Sequence, residues 1–165
     1  MRKIWRRTSA AVGAACVVVL AAGCAGGPPT PQVGATQAQV EAQLGTPKAT
    51  FPLPDGGRQV EFNYVRGPFT YIVFFDAAGK VVEAVQVLNE TNFRQVRPGM
   101  TQEQVLRLIG HPFQTSPAGR RAGELWTYTY RNTQCQWFQV QFTSDNATVA
   151  SAAITLLPHC ERASS

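Results

Sequence analysis

The sequence predicts an α+β fold built of two tandem modules, each a short helix packed on an antiparallel three-stranded sheet. Three observations carry that prediction. A stretch of chain repeats after 65 residues, each copy has helix-capping residues at both ends, and apolar and polar residues alternate in the segments that follow.

The repeat comes first. Gly34-Ala35-Thr36-Gln37-Ala38-Gln39-Val40-Glu41-Ala42-Gln43-Leu44-Gly45-Thr46-Pro47 aligns without gaps on the fourteen residues from Gly99 to Pro112, and seven positions are identical. Thr36 and Thr101 are N-cap candidates, and Gln39 and Gln104 complete a capping box three residues on. Val40 with Leu44, and Val105 with Leu108 and Ile109, form apolar stripes at helical spacing. Gly45 and Gly110 are expected to supply left-handed C-terminal caps, and the prolines two residues later stop the helix. A helix of about nine residues does not persist alone, so each must pack on something else.

Strands supply that support. In the first copy they are expected over Arg58–Tyr64, Phe69–Phe75 and Lys80–Leu88, and in the second over Glu124–Arg131, Gln136–Thr143 and Thr148–Leu157. Asp76-Ala77-Ala78-Gly79 and Ser144-Asp145-Asn146-Ala147 carry turn chemistry between the last two strands of each copy. Val60/Phe62/Tyr64 alternate with Glu61/Asn63, Trp126/Tyr128/Tyr130 with Thr127/Thr129, and Phe138/Val140/Phe142 with Gln139/Gln141. Such alternation describes a sheet with one buried face, covered by the short helix. The modules are expected over 33–90 and 91–161. At about 60 residues each core is marginal alone, so docking between the modules would help both.

The N-terminus reads as a targeting segment over 1–23. Arg2, Lys3, Arg6 and Arg7 precede an apolar run from Ala10 to Ala22, which ends at Gly23-Cys24. That run is shorter than the roughly 20 residues a membrane-spanning helix needs. Leu20-Ala21-Ala22-Gly23-Cys24 resembles the lipobox of bacterial lipoproteins. The resemblance implies lipidation of Cys24 and cleavage after Gly23. Two or more acyl chains hold a protein stably on a membrane, where one does not. Ala25 stands where an Asp would imply retention at the inner membrane, so the same resemblance implies the outer membrane. Residues 24–32, rich in Gly, Pro and Ala, read as a flexible tether.

Composition excludes several function classes. The whole chain has 15 Lys and Arg against 10 Asp and Glu, but four of the cations lie before residue 8, so the mature side chains sum to about +1. No basic stripe remains, and nucleic acid is not an expected partner. Of four cysteines, Cys16 would be removed and Cys24 acylated, leaving Cys135 and Cys160 as one expected disulfide in an oxidising compartment. A metal site would need further ligands at regular spacing. Only His159 is near that pair, so neither metal nor cofactor is expected.

The lipobox, the segment Gly99–Pro112 and the aromatic strands together resemble the SmpA/OmlA (BamE-like) family of small outer-membrane lipoproteins, most closely over Gln95–Leu157 and more weakly over Val33–Leu88. The resemblance implies a helix-plus-sheet fold and attachment to the machinery that inserts β-barrel proteins. Family members usually carry one module. Tandem modules resemble the secreted β-lactamase-inhibitor protein, whose two units form a concave sheet that grips a partner.

No enzyme is expected. His111 lies in the turn after Gly110, His159 near the C-terminus, and no local motif pairs a nucleophile with a base. Asp55-Gly56-Gly57 precedes a strand and reads as a hairpin turn; Asn89-Glu90-Thr91 and Asn146-Ala147-Thr148 read as turns that happen to fit a glycosylation pattern. A partner-binding face is expected at Ile72, Phe74 and Trp137, which project away from the core-facing set. The alternative is that this face is the seam between the modules. The expected function is a lipid-anchored envelope protein of the outer membrane, facing the periplasm and binding other envelope proteins, with β-barrel assembly as the leading setting. The alternative is an anchored inhibitor or ligand-binding module acting on a periplasmic enzyme or wall component.

Overall fold

The computed structural model describes residues 29–64, 66–119 and 122–157, and contains two helix-and-sheet modules in tandem. In the first, helix α1 (Gln37–Leu44) is followed by β1 (Pro47–Pro52), β2 (Arg58–Tyr64), β3 (Phe69–Phe75) and β4 (Val81–Gln86). In the second, α2 (Glu90–Phe93) and α3 (Gln102–Ile109) precede β5 (Gln114–Pro117), β6 (Glu124–Thr129), β7 (Gln136–Phe142) and β8 (Val149–Leu156). Each sheet is an antiparallel meander in sequence order, β1-β2-β3-β4 and β5-β6-β7-β8.

Each sheet thus has four strands, where three were expected. The additional strands β1 and β5 directly follow the helices and begin or end on proline. Proline cannot donate to a ladder, and it is tolerated here because both strands lie at sheet edges. The two-sequence turn chemistry holds elsewhere. Asp55 Oδ1 accepts from the Gly57 N–H at 3.0 Å in the β1–β2 hairpin, and Asp76 Oδ1 accepts from the Lys80 N–H at 2.8 Å in the β3–β4 turn.

Both capping boxes form. Thr36 and Thr101 accept from the Gln39 and Gln104 N–H groups, and each Gln side chain accepts from the N-cap backbone in return. The C-terminal caps differ from expectation. Gly45 and Gly110 have φ of 98° and 75° but ψ of −166° and −170°, so they extend away in a glycine-only conformation rather than a left-handed turn. That geometry sends the chain straight into the edge strand.

The first core gathers Val40 and Leu44 of α1 under Val60, Phe62, Tyr71, Val73, Phe75 and Val81. The second sets Val105 and Ile109 of α3 under Trp126, Tyr128, Phe138, Val140, Phe142 and Val149, and also takes in Leu88 and Phe93. Phe93 stacks on Phe138 at 4.3 Å between ring centroids. Asn89 caps α2 by accepting from the Asn92 N–H, and Asn146 accepts from the Glu124 N–H at 2.7 Å, so both asparagines of the glycosylation-like sequences serve local structure.

The expected tether is shorter than 24–32 at its folded end. Pro31 is buried. Pro31 stands 65 residues before Val96, which is also buried, so the internal repeat begins upstream of Gly34. Cys24, Cys160 and His159, together with the targeting segment, lie outside the described residues. Among the described residues, no helix is long and apolar enough to cross a membrane.

Candidate functional site at the module junction

The two sheets differ in one respect that locates the junction. In sheet 2, β7 alternates between buried core residues and partly exposed ones, although Thr127 on the outer side of β6 is buried. In sheet 1 four successive residues of β2 and four of β3 are buried, so both faces are covered. The expected one-sided sheet therefore describes the second module and not the first. Helix α3 accounts for the difference, because its inner stripe packs on sheet 2 while its C-terminal end meets the outer face of sheet 1.

That contact is polar at its centre. The Gln59 side-chain amide donates to the Arg107 carbonyl at 2.6 Å. Glu61, with 0% of its side chain exposed, accepts from the His111 backbone N–H at 2.9 Å and lies 2.6 Å from His111 Nδ1. A buried carboxyl needs such partners, since its desolvation is otherwise uncompensated. Tyr128 donates to the Gly110 carbonyl at 3.0 Å. Burial, and then the Glu61 charge, hold this phenol well above its ordinary range, so it remains a donor. The Arg107 guanidinium lies 4.5 Å from the centroid of the Phe51 ring, which adds a cation–π contact to the edge strand.

Gly110 lets these groups approach. A Cβ built there would fall 2.7 Å from Thr70 Cγ2 and 3.0 Å from Glu61 Cδ. Gly110→Ala is expected to cost about 1–3 kcal/mol, from positive φ and from this collision. Gly45→Ala, at the equivalent place with open space around it, should cost less, and paired urea titrations of the two variants check the difference.

The expected binding residues separate. Ile72 is 2% exposed, and with Phe74, Val85 and Val87 it lines a groove of about 170 Å³ that Arg107 and Leu108 of α3 close from the other side. Ile72 is thus covered rather than offered outward, because α3 sits against it. Phe74 keeps a partly exposed edge at the groove mouth. Trp137 lies apart from both, on sheet 2, where it pairs with Thr129 and Thr155. Beside it Gln139 bridges neighbouring strands, donating to the Thr127 hydroxyl at 3.4 Å and accepting from the Thr155 hydroxyl at 3.0 Å.

A second cleft of about 130 Å³ opens at the same junction, lined by Tyr64, Pro68, Phe69, Leu88, His111, Pro112 and Phe113 among others. Phe113 is 75% exposed. Sequence reading passed over this cleft because its walls come from both modules and only docking assembles them. Among the described residues, no group of three or more potential metal ligands converges.

Residues 86–151 match the family model of the outer membrane protein assembly factor BamE domain. The second module is similar to the BamE domain over most of its length. The match begins within β4 and ends within β8, so it takes in α2, α3, the His111 turn and most of sheet 2. The first module, which docks on the BamE-like one through Glu61 and Gln59, lies outside the match except for the last residue of β4. No curated protein matches the chain. A solved structure, the 1.5 Å crystal structure of an extracellular protein containing a SCP domain from Bacillus anthracis str. Ames, is similar at 13% identity and a TM-score of 0.30. The comparison covers 96% of this chain and 52% of that one, so this chain spans about half its length. A likeness so low carries no argument about fold or function.

Proposed function

We propose that this protein is a lipid-anchored envelope lipoprotein, held at the periplasmic face of the outer membrane through Cys24, that serves as a non-enzymatic accessory of β-barrel protein assembly. The observation that carries the reading is the BamE-like domain over 86–151. The lipobox before Cys24 supports the anchor, and the near-neutral mature charge fits protein rather than nucleic-acid partners. The junction is a scaffold in this reading. It fixes the BamE-like module at one angle to the first module, and leaves the Phe74 edge and Trp137 as contact points for envelope proteins.

The test isolates C-terminally tagged, full-length protein from envelopes in mild detergent and identifies what accompanies it by mass spectrometry. Co-purification of the β-barrel insertion machinery, lost in Cys24→Ser, is the expected result. A lone lipoprotein would sink the assembly role and turn attention to the anchored-inhibitor reading.

The Cys135–Cys160 disulfide belongs to the same proposal. Leu157 donates its N–H to the Cys135 carbonyl at 2.9 Å, so the end of β8 is held beside the start of β7 three residues before Cys160. Closing a loop of roughly 25 residues contributes about 3 kcal/mol on the chain-entropy account. Cys160→Ser should therefore lower the melting temperature by roughly 10 °C, and an unchanged melting curve would remove the bond from the account.

A further inference from the structure

The edges of the two sheets are not protected alike. β1 carries Lys48 and a proline at each end, β5 is four residues long and ends on Pro117, and β4 carries the exposed Glu83. Charge, proline and shortness keep an edge strand from pairing with another chain. β8 has none of these. It is the longest strand among the described residues, eight residues from Val149 to Leu156, and contains neither a charge nor a proline.

The internal repeat shows how the equivalent edge is closed in the first module. Each last strand is covered at its start by the segment before the helix. Gly34 and Ala35 exchange hydrogen bonds with Val81 at 2.8 and 2.9 Å, and Gly99 and Met100 do the same with Val149 at 2.9 and 2.8 Å. The far end of β4 is closed too, because the chain turns into α2 and the Asn89 side-chain amide donates to the Gln86 carbonyl at 3.0 Å. Among the described residues, β8 has no such successor. Leu157 donates its N–H to the Cys135 carbonyl, so Leu157, Thr155, Ala153 and Ser151 turn their backbone groups toward β7. Ala152, Ile154 and Leu156 then turn theirs the other way, each with one N–H and one carbonyl at the open edge.

We propose that this edge pairs with β8 of a second copy of the chain, antiparallel about a two-fold axis at Ile154. The occupant must be an extended strand, because only a strand presents N–H and carbonyl groups at the matching spacing. The residues of β8 suit their own copy. With Ile154 opposite Ile154, Leu156 of each copy falls opposite Ala152 of the other, on the core face. Leu156 is 42% exposed and Ala152 is small, so a large side chain covers a small one at both ends of the contact. On the outer face Ala153 falls opposite Thr155. Like charges facing each other oppose the self-pairing of a strand, and β8 supplies none. The two-fold contact uses the open edge of both copies, so it closes as a dimer. It requires neither the lipid anchor nor a role in β-barrel assembly.

The experiment follows the mass of the full-length protein in mild detergent by native mass spectrometry over a dilution series. A dimer that dissociates on dilution is expected. Ala152→Pro removes an N–H that faces away from β7, a loss that an edge strand tolerates. Because the contact is symmetric the loss counts twice, and self-association should weaken by about tenfold or more. Circular dichroism checks that the variant is folded. Val82→Lys, at an exposed site on β4, should leave the dimer intact. A monomer at every concentration would overturn the proposal, and so would a dimer that a folded Ala152→Pro variant leaves unchanged. If Ala152→Pro does not fold, Ile154→Cys decides. Paired residues of this kind have Cα atoms about 5.5 Å apart, within reach of a disulfide. Mild oxidation should then link two copies of the variant and not of the parent, and failure to link them would overturn the proposal. Protection of the Ala152, Ile154 and Leu156 amides from hydrogen exchange by a different envelope protein, with the chain itself monomeric, would overturn it as well.

Discussion

Replacing His111 with alanine is expected to destabilise the folded protein by about 3 kcal/mol, the range found when one partner of a buried charged contact is removed. Glu61 would keep one backbone N–H and lose the imidazole that partners its other oxygen. The effect falls on the contact between modules, because Glu61 belongs to β2 and His111 follows α3. Glu61→Gln should cost much less, since an amide can still accept from the His111 N–H and donate to the ring nitrogen. The distinguishing measurement is a double-mutant cycle in urea with Glu61→Gln and His111→Ala. Coupling above about 1 kcal/mol is expected for groups in contact. Additive losses would mean that the pair is incidental to docking.

Phe93→Ala is expected to cost more, about 3–5 kcal/mol. Phe93 closes a helix of only four residues, and its ring is 2% exposed. It stacks on Phe138 and meets Tyr130 edge-on at 5.0 Å, so truncation would open a cavity in the second core and dissolve two aromatic contacts. Because α2 is too short to hold its own shape, the link between the modules should loosen with it. The midpoint of urea unfolding should fall while its slope is unchanged, and Phe93→Leu should recover most of the loss. A Phe93→Ala protein within 1 kcal/mol of the parent would show that the core closes over the gap.

Much of this architecture could be read in the residues. The boundaries of β2 and β3 coincide with the expected strands Arg58–Tyr64 and Phe69–Phe75, and both Thr-to-Gln capping boxes are present. Local rules decide those features, so local sequence reveals them. The edge strands β1 and β5 escaped because their prolines look like punctuation, and only pairing with β2 and β6 makes them strands. The burial of Gln59, Glu61 and Ile72 escaped for another reason. Each sits at a position where alternation predicts solvent, and what covers it arrives some thirty-five to fifty residues later in the chain. Glu61 in an apolar strand carries no mark that separates a buried, paired carboxyl from an exposed one.

The covering of sheet 1 by α3 also bears on how many modules such a chain can contain. A repeat whose helix fits the back of the preceding sheet could in principle continue indefinitely, each sheet receiving the helix of the next, in other copies of the same chain as readily as within one. Sheet 2 closes that series. Where sheet 1 has Ile72 and Phe74, it has Gln139 and Gln141, and the Gln139 amide is already satisfied by Thr127 and Thr155. Repeat arrays stay soluble when a terminal unit turns a polar outer face to water. Gln139 and Gln141 give the outer face of β7 a polar character of that kind.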